Sequence, residues 1–423
     1  MARPRPSLLA PRNAPMLYQA YQAQSDLMAP VRAYARTTAA WLSAPAPGFE
    51  CLADLPAVRH AAAAMEMLSR ASLSHSRPDF GISSIRIGDE DVPVSEVAAD
   101  VTPFCTLLRF HKQHDAEQPR VLLVAPMSGH FPTLLRATVE TLLPEHDVYL
   151  TDWHNARDVR LRDGRFGFDE YVDHLIRFLE YLGPGAHMIA VCQPCPQALT
   201  ATAVMSEAGN SCTPKSLTLM AGPVDARINP TSVNELATSH PIEWFDRTVI
   251  DTVPWRFRGH GRRVYPGFVQ LGAFLSMNPD RHIQSHLDLF GDLAAGNDDG
   301  AGATKEFYDE YFAVSDLTAE FYLETVQWIF QEYRLARGEM TWHGNPVNLG
   351  AIDRSALLTI EGERDDICAV GQTLAAQDLC TAIPKARKRH HLQAGVGHFG
   401  VFSGRRWRTQ VYPVVENVIL AND

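Results

Sequence analysis

A cysteine stands at the junction between a stretch typical of a buried strand and a stretch typical of a helix. Residues 187–200 read HMIAVCQPCPQALT, so the apolar strand ends at Cys192 and Pro194 takes an early helical position, where its missing N–H removes no hydrogen bond. A nucleophile on such a strand–turn–helix elbow usually lies in a G-x-S-x-G frame. Here residues 190–194 read AVCQP: alanine satisfies the steric demand of the first position, and proline departs from the pattern at the last. We interpret Cys192 as a nucleophile.

A thiol suits this position. The macrodipole at the N-terminus of a helix favours the thiolate, and a nearby histidine favours it further. The backbone N–H of Gln193 is expected to point toward the oxyanion that forms when Cys192 attacks a carbonyl. The alternative is a buried core cysteine at a strand end, which is the ordinary role of an isolated cysteine.

A second cysteine makes the same segment a C-x-x-C motif. Cys192 and Cys195 could then form a redox pair or half of a zinc site. The redox interpretation needs a small thioredoxin-like domain, and the zinc interpretation needs a second ligand pair. The sequence has no second C-x-x-C, and the neighbouring histidines His390 and His391 alone are weak evidence for a metal. We therefore expect no metal and no cofactor, and we expect Cys195 to be a packed helix residue.

An acid and a histidine follow later strands in the chain order that a nucleophile of this kind requires. The apolar run at 356–360 leads into Asp365 and Asp366, and the last predicted strand leads into the segment GVGHFG, which contains His398. His398 is expected to take the proton of Cys192, and a carboxylate to hold its other ring nitrogen. Periodicity does not choose between the two aspartates, and either could instead cap the following helix.

The loop after the first buried strand offers a second oxyanion donor. Residues 126–131 read PMSGHF, and the backbone N–H of Met127 or Ser128 is the candidate, with a plain Ser-Gly turn as the alternative. His130 in the same loop is a rival base. Because it precedes the nucleophile in the chain, it is the second choice.

Strands and helices alternate around these segments. Predicted strands lie at 82–87, 105–110, 121–125, 147–153, 186–191, 216–220, 356–360 and 389–392. Predicted helices lie within 18–73 with a break at 45–48, and at 168–182, 194–206, 370–379 and 405–419. The alternation specifies an α/β fold, with a mostly parallel sheet and helices on both of its faces.

The alternation stops between residues 226 and 349, which is too long for a loop within a compact domain. This mostly helical, aromatic-rich stretch is interpreted as an inserted cap, with a flexible loop at 296–304 (GNDDGAGAT). The predicted division is an N-terminal helical region at 1–75, core at 76–225, cap at 226–350 and core again at 351–423. Six cap residues recur at helical spacing: Phe321, Tyr322, Thr325, Val326, Ile329 and Phe330. They either line an opening for substrate or form the packed seam between the cap and the sheet, and for most of them the seam is favoured.

Composition excludes several classes of protein. In 423 residues, 46% are hydrophobic and 21% are charged, which rules out a disordered or collagen-like chain. The net charge of −11 provides no basic excess for binding nucleic acid. Seven cysteines in so long a chain favour a reducing compartment over a disulfide scaffold. No apolar run is long enough to span a membrane, and prolines interrupt the basic N-terminus where a secretory signal needs an apolar stretch, so a cytoplasmic protein is expected.

Five segments together resemble the intracellular poly(3-hydroxybutyrate) depolymerases of bacteria, which are α/β-hydrolases. They are PMSGHF at 126–131, LTDWHNARDV at 150–159, AVCQPC at 190–195, IEGERDDICAVGQT at 360–373 and GVGHFGVFSGRRW at 395–407. The resemblance implies a triad of Cys192, Asp365 and His398. The preference for Asp365 over Asp366 also rests on resemblance, because related polyester synthases carry an Asp-His-Ile segment whose aspartate aligns with Asp365. The synthases share a Trp-x-Asn segment with this chain, but their elbow has glycine where Pro194 stands.

The resemblance implies hydrolysis of amorphous polyester through a thioester on Cys192, with the polyester granule surface as partner and granule association as location. Water is the expected acceptor, and coenzyme A is an alternative acceptor because a thioester reacts readily with nucleophiles. Three other functions stay open: a synthase-like transferase using acyl-CoA, a non-catalytic granule coat, and an esterase for small substrates. A homodimer is also left open.

Overall fold

A nine-stranded sheet forms the centre of the protein. The computed structural model describes residues 17–44, 53, 55–113, 117–277 and 279–423. The strands of the central sheet, in chain order, are β1 (Ser84–Ile87), β2 (Glu90–Val101), β3 (Cys105–Lys112), β4 (Arg120–Val124), β5 (Asp147–Trp153), β6 (His187–Val191), β7 (Ser216–Met220), β8 (Ala356–Gly362) and β9 (Lys388–Gln393). Their spatial order is β1-β2-β3-β5-β4-β6-β7-β8-β9.

The sheet is parallel from β5 to β9 and antiparallel at its other end. β1, β2, β3 and β5 pair antiparallel in sequence, whereas β5, β4, β6, β7, β8 and β9 pair parallel. Every residue of β6, β7 and β8 is buried, so both faces of the parallel part are covered. The carboxyl ends of these strands meet at one edge of the sheet, where ligand sites of open α/β sheets form. This is the α/β-hydrolase arrangement that the sequence predicts.

Helices surround the sheet and fill the long interval between β7 and β8. The α-helices are α1 (Leu17–Ser43), α2 (Pro56–Arg70), α3 (Arg136–Leu142), α4 (Phe168–Leu182), α5 (Cys195–Glu207), α6 (Ser232–Thr238), α7 (Ile242–Thr248), α8 (Gly267–Met277), α9 (Pro279–Ala295), α10 (Asp298–Tyr311), α11 (Ala319–Glu324), α12 (Arg334–Arg337), α13 (Ala376–Leu379), α14 (Gly404–Arg406) and α15 (Tyr412–Leu420). Two π-helical segments, Thr325–Gln331 and Trp407–Val411, continue α11 and α14. Short 3₁₀ turns lie at Pro132–Leu135, Ala156–Asp158, Leu161–Asp163, Leu349–Ala351, Lys385–Arg387 and His398–Val401.

Between β7 and β8 the chain also forms short strands. A three-stranded antiparallel sheet joins Asp251–Thr252, Arg263–Tyr265 and Leu317–Thr318. Thr341–Trp342 and Asn345–Pro346 form a small hairpin. This mixture of helices and short strands occupies the stretch that the sequence assigns to a cap, and the division of the chain into domains stays a prediction.

Buried polar side chains connect this stretch to the core and to α1. The Asp316 carboxylate accepts hydrogen bonds from the Tyr18 hydroxyl (2.6 Å) and the Gly267 N–H (2.9 Å). The Asn155 side chain accepts from the Asp316 N–H (3.0 Å) and donates to the His75 carbonyl (3.2 Å). Four distant parts of the chain therefore share one hydrogen-bonded cluster.

The predicted elements appear close to their expected bounds, but one observed strand was not predicted and two predicted segments differ. β2 was not predicted; its acidic residues and Pro93 are uncommon in strands. Residues 298–304 begin α10 instead of forming a loop, because the Asn297 side chain accepts the Gly300 N–H and Ala301 is buried. Residues 370–375 form turns instead of a helix, because the buried Glu361 carboxylate accepts the N–H groups of Gly371, Thr373 and Leu374. The predicted break at 45–48 and the basic N-terminus lie outside the described residues.

The helices of the described ranges differ from membrane-spanning helices in length or in apolar character. Among residues 17–44, 53, 55–113, 117–277 and 279–423, no helix has both the length and the apolar character needed to cross a membrane.

Candidate active site

Cys192 lies on a strained turn between β6 and α5. Its backbone φ is +67°, a left-handed conformation that non-glycine residues rarely adopt and that often marks a functional site. The Cys192 N–H donates to the Met220 carbonyl of β7 (2.7 Å), and the Cys195 N–H donates to the Cys192 carbonyl (3.2 Å). The elbow predicted from the sequence therefore forms, and the side chain of Cys192 is only half-buried.

A glycine after β7 makes room for this elbow. A Cβ atom on Gly222 would overlap the Cys195 side chain and lie 2.5 Å from the Cys192 carbonyl oxygen. The preceding residue, Ala221, has a φ of +50° and lines the same cavity as Cys192. Sequence reasoning missed Gly222, although its position directly after a buried strand was the available signal. Close packing against the elbow comes from this glycine on the neighbouring strand as well as from Ala190.

Asp365 and His398 form a buried hydrogen-bonded pair. The Asp365 Oδ2 atom lies 2.7 Å from His398 Nδ1, and the side chains are 0% and 5% exposed. The other carboxylate oxygen of Asp365 accepts the N–H groups of Ile367 and Cys368, each at 2.9 Å. His398 begins a 3₁₀ turn after β9, and Asp365 follows β8. The carboxylate thus holds one face of the imidazole in a fixed orientation.

The other side of the imidazole faces Cys192. Burial by itself would lower the pKa of His398, but the charges of Cys192 and Asp365, together with hydrogen bonds to both side chains, raise the pKa well above its ordinary value. The charges of Cys192 and Asp365 on the two sides of the ring thereby favour its protonated form. The structure brings together Cys192, Asp365 and His398, which lie on three separate segments of the sequence.

Asp366 has different surroundings. It is exposed and lines the cavity in front of Cys192, whereas the hydrogen bond to His398 comes from Asp365. The two aspartates that periodicity left undecided are thus distinguished by position: one is buried behind the histidine, and the other faces solvent in the cavity.

The loop after β4 reaches the elbow through a backbone donor. The Met127 N–H donates to the side-chain Oε1 of Gln193 (3.2 Å). Within the described ranges, the backbone N–H groups of Gln193 and Ser128 have no hydrogen-bond partner. The Ala125 carbonyl holds the start of this loop by accepting from Trp153 Nε1 (2.9 Å) and the Tyr171 hydroxyl (3.0 Å). All three predicted oxyanion donors therefore lie around the elbow. One of them, the Met127 N–H, is hydrogen-bonded to the Gln193 carboxamide.

His130, the alternative base, and Cys195, the second cysteine of the C-x-x-C motif, do not line the cavity in front of Cys192. The His130 ring packs against Phe274 and Tyr311, and burial lowers its pKa to about 4. It is not among the residues that line the cavity around Cys192. The Cys195 thiol lies 3.4 Å from the Ala190 carbonyl, and burial raises its pKa far above the usual range. His130 is thus a packed neutral histidine, and Cys195 is the packed helix residue that the sequence predicts.

A cavity of about 580 Å³ opens in front of Cys192. The stretch between β7 and β8 contributes most of its wall, in the form of aromatic and aliphatic side chains: Val233, Leu236, Phe245, Tyr265, Phe274, Phe321, Tyr322, Val326 and Phe330. Tyr265 and Tyr322 stack with their ring centroids 3.9 Å apart. Five of the six residues predicted from helical spacing line the cavity, whereas Ile329 is buried in the core. The cavity suits an extended apolar ligand.

Several solved structures of hydrolytic enzymes are similar to this chain at low sequence identity. Similar structures include 2-hydroxy-6-oxo-6-phenylhexa-2,4-dienoate hydrolase from Rhodococcus sp. strain RHA1 (11% identity, TM-score 0.42, covering 78% of this chain and 99% of that one). The Paleococcus ferrophilus monoacylglycerol lipase is also similar, with 11% identity and a TM-score of 0.40, covering 72% of this chain and 96% of that one. A thermophilic esterase from Thermogutta terrifontis has 14% identity and a TM-score of 0.41, covering 77% of this chain and 98% of that one. A search of curated proteins found no match.

A family model matches the C-terminal part of the chain. Residues 221–423 match the family described as PHB de-polymerase C-terminus, where PHB is poly(3-hydroxybutyrate). The matched range begins directly after β7 and includes Asp365 and His398, but not Cys192. The match confirms the resemblance noted from the sequence, and together with the fold it supports a carboxylic ester hydrolase.

Proposed function

Residues 221–423 match the family described as PHB de-polymerase C-terminus, and on this premise we propose that the protein hydrolyses poly(3-hydroxybutyrate) at Cys192. The observations that carry the proposal are the 2.7 Å hydrogen bond between Asp365 and His398, the charge of Cys192 acting on the same ring, and the mainly apolar cavity that Cys192 lines. The products are 3-hydroxybutyrate and short oligomers.

The first step is acyl transfer to sulfur. The Cys192 thiolate attacks an ester carbonyl of the polymer, and the carbonyl oxygen becomes an oxyanion facing the N–H groups around the elbow. The carbon–oxygen bond to the leaving alkoxide then breaks, and the His398 imidazolium donates its proton to that oxygen. The result is a thioester on Cys192 and a shortened chain with a free hydroxyl end.

The second step is hydrolysis of the thioester. His398, now neutral, accepts a proton from water as the water oxygen attacks the thioester carbonyl. The carbon–sulfur bond breaks, the acid product leaves, and the thiolate and imidazolium are restored. Asp365 keeps its hydrogen bond to His398 Nδ1 in both steps, so Nε2 stays directed at the reacting atoms.

An amorphous polyester fits the cavity better than a charged substrate does. The wall is mainly apolar, and the polar groups that reach it are largely uncharged amides and hydroxyls, with Asp366 as a negative charge at the exposed side. Acidic groups are produced only on cleavage, and Asp366 disfavours their retention through like-charge repulsion. Association with the surface of a polyester granule is part of the proposal.

The proposal is tested by measuring release of 3-hydroxybutyrate from amorphous polymer by the purified protein. Cys192→Ala is expected to abolish release, with a loss of at least roughly a thousandfold, because no other group supplies the nucleophile. Cys195→Ala is the matched control and is expected to retain most activity. Mass spectrometry of the enzyme quenched during turnover should find the acyl group on Cys192.

Three results would contradict the proposal. Acyl label on Cys195, or unchanged release by Cys192→Ala, would remove the assigned nucleophile. Polymer growth from 3-hydroxybutyryl-CoA without polymer shortening would indicate a transferase. Activity on soluble esters without activity on amorphous polymer would indicate an esterase for small substrates.

A further inference from the structure

Three buried polar atoms in the cavity wall have no hydrogen-bond partner among the described residues. They are Gln193 Nε2, Gln270 Oε1 and Thr325 Oγ1. Buried polar groups are normally paired because an unpaired one loses its hydration without compensation. In a cavity whose remaining wall is mainly apolar, such groups mark the points at which a ligand supplies the missing partner.

Thr325 is the clearest of the three because its hydroxyl lacks the bond that other helical threonines of this protein make. It is 9% exposed and begins the π-helical segment Thr325–Gln331. Other helical threonines of this protein donate to the carbonyl four residues earlier, as Thr141, Thr200 and Thr202 do at 2.6, 2.8 and 2.8 Å. The Thr325 hydroxyl makes no such bond. π-Helical turns are rare and are often found at functional sites.

The Gln270 side chain reaches the cavity through a space that a glycine leaves open. A Cβ on Gly129 would lie 2.8 Å from Gln270 Oε1, so the glycine leaves space for this side chain beside the loop that carries Met127 and Ser128. Two of the unpaired groups, on Gln270 and Thr325, therefore lie on α8 and the π-helical segment, whereas Gln193 is part of the elbow, and all three residues line one cavity. A ligand that satisfies them has polar groups in addition to the ester under attack.

We propose that the Thr325 hydroxyl is a substrate contact that donates a hydrogen bond to an ester carbonyl of a repeat unit other than the one that Cys192 attacks. The inference rests on the proposed function. The attacked carbonyl faces the backbone donors at the elbow, and the Thr325 hydroxyl lines the same cavity on a separate element, where a second acceptor of the chain can meet it. A polyester of 3-hydroxy acids has such an acceptor in every repeat unit, whereas the acyl chain of an ordinary fatty ester has none. Thr325 thus selects chains with recurring ester groups.

The test compares two substrates across three variants. The substrates are a linear tetramer of 3-hydroxybutyrate and p-nitrophenyl butyrate, which has a single ester. Thr325→Val keeps the side-chain shape and removes the donor, and it is expected to lower kcat/KM for the tetramer by about tenfold while changing that for p-nitrophenyl butyrate by less than about twofold. Thr325→Ser restores the donor and should recover most of the lost activity on the tetramer.

Thr218→Val is the matched control. Thr218 is fully buried in β7, and its hydroxyl also has no partner among the described residues, but it does not line the cavity. It is expected to leave the ratio of the two kcat/KM values unchanged.

The outcomes separate this inference from the proposed function. Equal loss on both substrates, or no loss on the tetramer, would overturn the role of Thr325 while leaving hydrolysis of the polymer in place. A wild-type enzyme that cleaves p-nitrophenyl butyrate but neither the tetramer nor the polymer would overturn the proposed function, and this inference with it.

Discussion

Two adjacent aspartates illustrate how position, not residue type, decides chemistry. Asp365 is fully buried and hydrogen-bonded to His398 and to two backbone N–H groups, so its carboxylate is fixed. Asp366 is exposed at the cavity. Only the first can orient the imidazole and stabilise its protonated form.

Asp365→Asn is therefore expected to lower kcat for ester cleavage by roughly three to four orders of magnitude, because the amide can hold the wrong tautomer of His398. Asp366→Asn is the isosteric control and is expected to stay within about threefold of wild type. Steady-state kinetics on p-nitrophenyl butyrate check both. A larger loss for Asp366→Asn than for Asp365→Asn would reverse the assignment.

The Gln193 carboxamide accepts a hydrogen bond from the Met127 N–H, which is one of the donors expected to stabilise an oxyanion. Its Oε1 accepts the Met127 N–H at 3.2 Å, while its Nε2 is buried and has no partner among the described residues, so within these residues one hydrogen bond holds the carboxamide in place. Substrate must displace Oε1 before Met127 can contribute to stabilising the oxyanion.

Gln193→Ala keeps the backbone N–H and is expected to tighten binding of butyraldehyde, which forms a thiohemiacetal oxyanion on Cys192, by about two- to tenfold. Inhibition constants measured against p-nitrophenyl butyrate hydrolysis give the comparison. Gln197→Ala, one helical turn further along α5 and also buried without partners, is the control. Weaker aldehyde binding by Gln193→Ala would show that the side chain supports the oxyanion site instead of competing for it.

The elements around the elbow are shaped by close contacts between chain segments. β7 supplies the carbonyl that accepts the Cys192 N–H, and Gly222, two residues after the end of β7, leaves space for the start of α5. On the next strand, the buried Glu361 carboxylate binds three backbone N–H groups of the turn at 371–374. These contacts set the loops that carry Cys192 and Asp365.

Gly222→Ala is predicted to destabilise the protein by about 1–3 kcal/mol, because the added methyl overlaps Cys195 and the Cys192 backbone. It should also lower activity by shifting the elbow. Gly291→Ala in α9, where a Cβ meets nothing within 4 Å, should be neutral or stabilising by up to about 1 kcal/mol. Thermal unfolding of both variants provides the comparison, and unchanged stability of Gly222→Ala would show that the elbow tolerates the methyl group.

Several histidines in the interior of the molecule have a lowered pKa, which favours their neutral form. Burial lowers the pKa of His130 and of His146 to about 4 and that of His75 to about 3. His75 and His130 lie where the core meets the stretch between β7 and β8, since Asn155 binds the His75 carbonyl and His130 contacts Phe274 of α8. The junction between these parts is thus sensitive to acid.

The sign of the effect follows from the lowered values. Between pH 6.5 and about 4 the unfolded chain binds protons at these rings and the folded protein does not, so the free energy of unfolding falls as the pH falls. For His130 the loss is on the order of 3 kcal/mol. His130→Phe should therefore show a smaller drop in Tm between pH 6.5 and 4 than wild type, and His111→Phe, at the exposed position of the mostly buried β3, should not. Parallel curves for wild type and His130→Phe would contradict this explanation.

The alternation of strands and helices, the elbow and the chain order of Cys192, Asp365 and His398 were accessible from the sequence. Local periodicity specifies each element, and parallel strands bring their carboxyl ends to one edge whatever the details of packing. For the six cap residues, helical spacing required an apolar contact and favoured the seam with the sheet, whereas the structure places five of them on the cavity wall.

Other features depended on contacts between segments distant in the chain. Periodicity could not choose between Asp365 and Asp366, because adjacent residues share every local signal and only the position of His398 separates them. Gly222, the Gln193 contact with Met127 and the unpaired Thr325 hydroxyl likewise depend on what packs against each residue. A one-dimensional pattern contains the identity of each residue but not its neighbours in space, and hydrogen bonding and steric fit are properties of those neighbours.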